Sequence, residues 1–134
     1  MKTNLICASI AAVLSAITVH AQSSTNLEAN IPFDFVAGGK TMAAGAYTVG
    51  YTSSGVVAIK SADRSGAVMS LATPLNAPFG AHKARLMFHR YGNTYFLVEV
   101  WGPENGRQLP TTSQEREMAA RVGRSNASVV AALR

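Results

Sequence analysis

The sequence predicts a mainly β protein, an antiparallel β-sandwich or small barrel with one short C-terminal α-helix, and three observations carry that expectation. Leu27, Ala29, Ile31, Phe33 and Phe35 alternate with Glu28, Asn30, Pro32, Asp34 and Val36, the two-residue period of a strand with one buried face. Tyr47, Val49 and Tyr51, then Val57 and Ile59, repeat that period between Gly and Ser turns, the spacing of a β-meander. Ala84 to Trp101 folds back on itself about Gly92-Asn93, as a hairpin does.

With 134 residues, 48% apolar and 14% charged, the composition is that of one globular domain, neither disordered nor fibrous. Residues 1–21 are set aside as a signal peptide. Lys2 gives a positive n-region, Leu5 to Val19 an apolar h-region, and Val19-His20-Ala21 a small-x-small cleavage signal. Ser9, Ser15 and Thr18 interrupt the run, and it is shorter than the about 20 apolar residues that span a bilayer. The expectation is export to the periplasm or the extracellular space, with no transmembrane anchor after cleavage. Residues 22–26 read as a polar leader and 27–134 as one β-rich domain.

Cleavage removes Cys7, the one cysteine, so the exported chain would carry no disulfide and no thiol chemistry. A chain of this size buries about two-thirds of its unfolded surface and does not need a cross-link. The formal charge of the whole chain is +5, but Lys40, Lys60, Lys83, Arg85, Arg90 and Arg107 are scattered. That pattern suits solubility and weak attraction to anionic surfaces rather than a nucleic-acid face.

The first strand is expected over Leu27 to Val36, with Pro32 confining it to an edge or an irregularity. Asp34 reads as a solvent-facing strand residue or turn acceptor. Gly38-Gly39-Lys40-Thr41 has the ending of a phosphate-binding loop, yet the position that such a loop requires to be glycine is Asp34. The segment is therefore read as a glycine turn. Gly45 then admits the strand that starts near Tyr47.

IPFDF and AGAYTV, with the later LMFHRYG, YFLVEVW and SQEREMA segments, resemble a group of small exported bacterial proteins with an IPFDF…AG-x-Y-x-V opening. That resemblance spans most of the exported chain, and it brings no activity and no catalytic residue to transfer. AGAYTV alone is similar to strands of transthyretin-like β-sandwich modules, which implies a sandwich and nothing about ligands.

Ser53-Ser54-Gly55 is read as a turn, Val56 to Lys60 as a strand, Ser61 to Gly66 as a loop and Ala67 to Thr73 as the fourth strand. Pro74 should end it, leaving an irregular connection to Lys83 that holds His82. In the Ala84–Trp101 hairpin, a three-residue Gly92-Asn93-Thr94 loop pairs Phe88 with Val98 and Leu86 with Val100, whereas a two-residue loop pairs Phe88 with Leu97. The first is preferred because it gathers Leu86, Phe88, Phe96, Val98 and Val100 on one face. The opposite face then holds Arg85, Met87, His89, Tyr91, Tyr95, Leu97, Glu99 and Trp101.

Gly102 to Pro110 is turn-rich. Thr112 and Glu115 have capping-box spacing before a helix at about 113–122, which Gly123 ends. Ten residues of modest apolarity must dock to persist, and the expected site is the sheet face with Leu97 and Trp101. Val129 to Leu133 reads as a short final strand.

Function follows by elimination. No histidine-rich or carboxylate group has metal-ligand spacing and no serine lies in G-x-S-x-G, so no cofactor and no catalytic residue is assigned. The leading expectation is a non-catalytic exported β-protein that binds a protein, a polymer or an envelope component. Arg85, His89, Tyr91, Tyr95 and Trp101 are its candidate binding face. The alternatives are a small-molecule carrier lined by Tyr47, Tyr51, Tyr95 and Trp101, or a small hydrolase using Asp34, His89 or Glu99. A carrier requires an enclosed apolar cavity, a binding module a filled core with an exposed apolar patch or bare edge, and a hydrolase ionisable groups converging in a cleft.

Overall fold

The computed structural model describes residues 24–76, 83–123 and 126–131. The signal segment and His82 lie outside them. In chain order the strands are β1 (Ser24–Ile31), β2 (Phe35–Ala37), β3 (Lys40–Met42), β4 (Gly45–Thr52), β5 (Val56–Ser61), β6 (Ala67–Leu71), β7 (Thr73–Asn76), β8 (Arg85–Tyr91), β9 (Thr94–Trp101) and β10 (Asn105–Gln108). The helix α1 (Ser113–Val122) and strand β11 (Asn126–Ala131) follow.

The protein is mainly β, with two facing sheets and one short C-terminal helix. The first sheet has the order β1-β4-β5-β6 and the second β11-β8-β9-β10-β7. All these pairs are antiparallel. Strand β2 adds to β9 in parallel through Phe35 and Val36, and pairs with β3. Between the sheets, Leu27, Ile31, Phe35, Val49, Val57, Ile59, Leu86, Phe88 and Val100 are fully buried. The two-residue period placed the buried sides of β1, β4 and β5 correctly, because a half-buried strand alternates side chains between core and water.

Three boundaries differ from the sequence reading. The expected single strand from Leu27 to Val36 is two strands in different sheets: β1 ends at Ile31, and Pro32-Phe33-Asp34 carries the chain across to β2. Pro32 has no ladder donor, so the break falls where a strand loses least. Phe33 stacks on Tyr95 at 3.8 Å between ring centroids, and Asp34 Oδ1 accepts from the Ala44 amide at 2.8 Å. Part of the expected leader, Ser24 to Asn26, pairs with β4.

The fourth strand ends at Leu71 rather than Thr73, and Pro74 lies inside the following strand, opposite Arg107. The missing amide is tolerated there because β7 is the edge of the second sheet. Ala72 is the whole link by which the chain passes from one sheet to the other at this side.

The β8–β9 hairpin combines both registers. Tyr91 faces Thr94 and Phe88 faces Leu97, the two-residue-loop pairing, whereas Leu86 faces Val100, the three-residue-loop pairing. An irregularity between Met87 and Phe88 absorbs the offset, with Val98 the extra residue of a β-bulge. Tyr95 and Leu97 consequently join the inter-sheet core, and Phe96 and Val98 lie on the opposite face with Tyr91 and Val36. The face assignments of those four β9 residues are thus reversed from expectation.

Strands β2 and β3 turn through Gly38 and Gly39, at φ +56° and +81°. Two successive positive φ values are those of the hairpin turn whose twist matches its strands, and glycine adopts them without strain.

Candidate functional site

Helix α1 covers the outer face of the second sheet, one position along from the expected site. Thr112 Oγ1 accepts from the Glu115 amide at 3.2 Å, and the Gly123 amide donates to the Ala119 carbonyl at 2.9 Å. Met118 and Ala119 pack on Val36, Tyr91, Phe96 and Val98. Leu97 is in the inter-sheet core instead. Trp101 is buried over its own sheet: a Cβ on Gly106 would stand 2.7 Å from the indole.

Glu115 does more than cap. It is 4% exposed, and its Oε1 meets His89 Nδ1 at 2.9 Å and accepts from the Tyr91 hydroxyl at 3.2 Å. A buried carboxylate in the first helical turn is favoured by the helix dipole and by these charge-assisted hydrogen bonds. It ties the helix to β8. Across the hairpin His89 faces Phe96, and Glu99 Oε2 accepts from the Trp101 indole N–H at 2.6 Å. The three-residue spacing of Thr112 and Glu115 predicted a capping box, and its Thr half forms, while the carboxylate turns inward to the sheet.

The five residues of the candidate face fall into separate surroundings. His89 and Tyr91 join Glu115. Arg85 lies over Trp101, with its guanidinium 5.1 Å from the ring. Tyr95 is on the other side of the sheet, against Phe33. Asp34, His89 and Glu99 each serve a different local contact, and among the described residues no group of three or more His, Cys, Asp or Glu has metal-site geometry. Of the aromatics considered for a carrier, Tyr47 and Tyr51 are core residues, with hydroxyls donating to the carbonyls of Ala43 and Asn105. Burial raises the Tyr47 pKa above its ordinary value, and the charges of Asp63 and Asp34 add to the effect.

The first sheet offers a different kind of site. Strand β6 is its edge. Met69 and Leu71 are 71% and 73% exposed, and their cross-strand neighbours on that face are Ala58 and Val56, both half-buried. The backbone polarity of the edge follows from its flanks: the Ser61 amide donates to the Gly66 carbonyl and the Ala72 amide to the Gly55 carbonyl. Alternation then turns the N–H and C=O groups of Ala67, Met69 and Leu71 away from β5. Two of these carbonyls have donors: that of Ala67 accepts from Lys40 Nζ at 3.2 Å and that of Leu71 from Ser70 Oγ at 3.0 Å.

At the Ala67 end lies a concavity of about 420 Å³ lined by Thr48, Lys60, Ser61, Ala62, Arg64, Gly66 and Ala67. Its rim is the 61–66 turn. Asp63 Oδ1 accepts from the Ser65 amide at 2.9 Å and the Ser61 hydroxyl at 2.8 Å, and Ser61 Oγ accepts from the Gly66 amide. Hydrogen bonds from the Ser65 side chain and amide, and then from the Ser61 hydroxyl, lower the Asp63 pKa to about 2. The apolar run AVMSL gave no alternation from which to read its exposed side.

Comparison of the chain with known protein families, curated proteins and solved structures gave no match. Among the described residues no helix is long and apolar enough to cross a membrane.

Proposed function

We propose that the chain is a non-catalytic, exported binding module that engages a protein partner through the edge of its first sheet. The observation that supports this reading is the contrast between a buried core and an apolar edge strand with which, among the described residues, no further strand pairs. Phe35 and Phe88 are 1% and 0% exposed and Tyr47 and Tyr51 4%, whereas Met69 and Leu71 stand in water on a strand with outward-facing amides. Edges of this kind are ordinarily blunted or covered, because they template pairing with another chain. Export rests on the N-terminal segment, and a periplasmic or extracellular location follows from it. The dispersed positions of Asp34, His89 and Glu99 weigh against the hydrolase, and those of Tyr47, Tyr51, Tyr95 and Trp101 against the carrier.

The test is native mass spectrometry of the protein purified from its own host, beside a Met69→Lys/Leu71→Lys variant. A stoichiometric protein partner, lost in the variant while melting is unchanged, is expected. A copurifying small molecule retained by the variant would overturn the reading in favour of a carrier. Edman sequencing should begin at Gln22; an intact Met1 on cytosolic protein would overturn export.

A further inference from the structure

We propose that the β6 edge receives the C-terminal end of an extended partner peptide, paired antiparallel to β6, with its terminal carboxylate held in the notch between Lys60 and Arg64. This inference rests on the binding-module reading and names the partner's chemistry.

Direction comes first. A strand added antiparallel to β6 runs from Leu71 toward Ala67, so its C-terminus arrives at the concavity lined by Lys60, Arg64 and Ala67. Main-chain pairing of this kind supplies affinity without demanding a particular sequence, and alternate side chains supply preference. The peptide's side chains on the outer face would meet Met69, Leu71, Ala58 and Val56, an apolar strip that favours small apolar residues at every second position.

Termination comes next. Lys40 Nζ already occupies the outward carbonyl of Ala67 and Ser70 Oγ that of Leu71, so the added ladder pairs chiefly with the amide and carbonyl of Met69. From Met69 to Ala67 is two residues, about 7 Å at strand rise. A chain that ends there places its carboxylate beside the cations of the notch, whereas one that continues must leave the sheet across the 61–66 turn.

Charge then selects the group. Lys40, Lys60 and Arg64 gather at this end of the strand. The acid among them is Asp63, whose Oδ1 is engaged by Ser61 and Ser65. Opposite charge across a docking site steers encounter and fixes register. A second copy of the chain lacks that complement, because antiparallel self-pairing of β6 sets the cationic end of one copy against Leu71 of the other.

The probe is an N-terminally fluorescein-labelled hexapeptide of alternating Thr and Val with a free C-terminal carboxylate, titrated by anisotropy beside its C-terminally amidated twin. Saturable binding of the free acid is expected, at least about fivefold tighter than the amide at low salt. The difference should shrink in 0.5 M salt, since exposed charges are screened within about 4 Å there. Lys60→Gln/Arg64→Gln should bring the free acid to the affinity of the amide. Met69→Pro should abolish binding, because it removes an outward amide; a peptide N-methylated at alternate residues makes the same test without altering the protein. Equal binding of acid and amide would overturn the carboxylate notch. Absence of binding to either peptide would overturn the inference, while a partner lost in Met69→Lys/Leu71→Lys would still uphold the binding module. A dimer in sedimentation that Leu71→Lys dissociates would overturn it in favour of self-pairing.

Discussion

Replacing Glu115 by Ala should loosen the helix from the sheet, and the size of the effect can be worked from its contacts. The carboxylate is 4% exposed and joins His89 and the Tyr91 hydroxyl. Hydrogen bonds to a charged group contribute about 1.5–3 kcal/mol, and a buried hydroxyl left without its acceptor adds a desolvation cost. Beyond this contact the helix is held by Met118 and Ala119. The expected loss is therefore about 2–3 kcal/mol, or roughly 8–15 °C in Tm for a domain of this size. Glu115→Gln keeps an acceptor for Tyr91 and should lose less, about 1 kcal/mol. Circular-dichroism melts give the totals, and a double-mutant cycle with Tyr91→Phe isolates the shared bond. A Tm within 2 °C of the parent for Glu115→Ala, together with unchanged amide exchange in Ser113–Val122, would refute the idea that this carboxylate anchors the helix.

Gly106→Ala should displace the Trp101 indole, since a Cβ would stand 2.7 Å from it; a cost of about 1–3 kcal/mol and a shifted tryptophan emission maximum are expected. The Asp63 turn should be sensitive to acid. Its folded pKa of about 2 lies below the ordinary 3.8, so its contribution is present above pH 4 and lost as pH falls toward 2. NMR titration of the Asp63 carboxyl should show a midpoint near 2, and an ordinary midpoint would contradict the hydrogen-bonding pattern. Lys40→Ala should free the Ala67 carbonyl and promote concentration-dependent association, measurable by light scattering, with little change in Tm.

Much of the first sheet was legible because its strands have one wet and one dry side. Leu27, Ala29 and Ile31, Tyr47, Val49 and Tyr51, and Val57 with Ile59 announce both strand and orientation. The same period runs unbroken through Phe33 and Phe35, although the chain changes sheets at Pro32. Alternation reports which side chains are buried, not against which sheet. The β9 register was hidden for a related reason: Phe96, Leu97 and Val98 are all apolar, both faces of that strand are covered, and a bulge leaves no trace in such a run. Helix α1 was legible from Thr112 to Gly123, since its ends are local. The inward turn of Glu115 was not, because its partners lie on β8, twenty-four and twenty-six residues earlier. The β6 edge escaped for want of a charged or polar marker on its exposed side.

The chain crosses between the sheets at residues 32–34, 43–44 and 72, and the first and last of these crossings have a mechanical consequence. They leave from β1 and β6, the opposite borders of the first sheet, so the layers are sewn along both hems by the polypeptide itself. Neither layer can peel off like a page while the other stays whole. Loss of order should therefore spread through both together, and the slowest-exchanging amides of β4 and β9 should share one opening free energy.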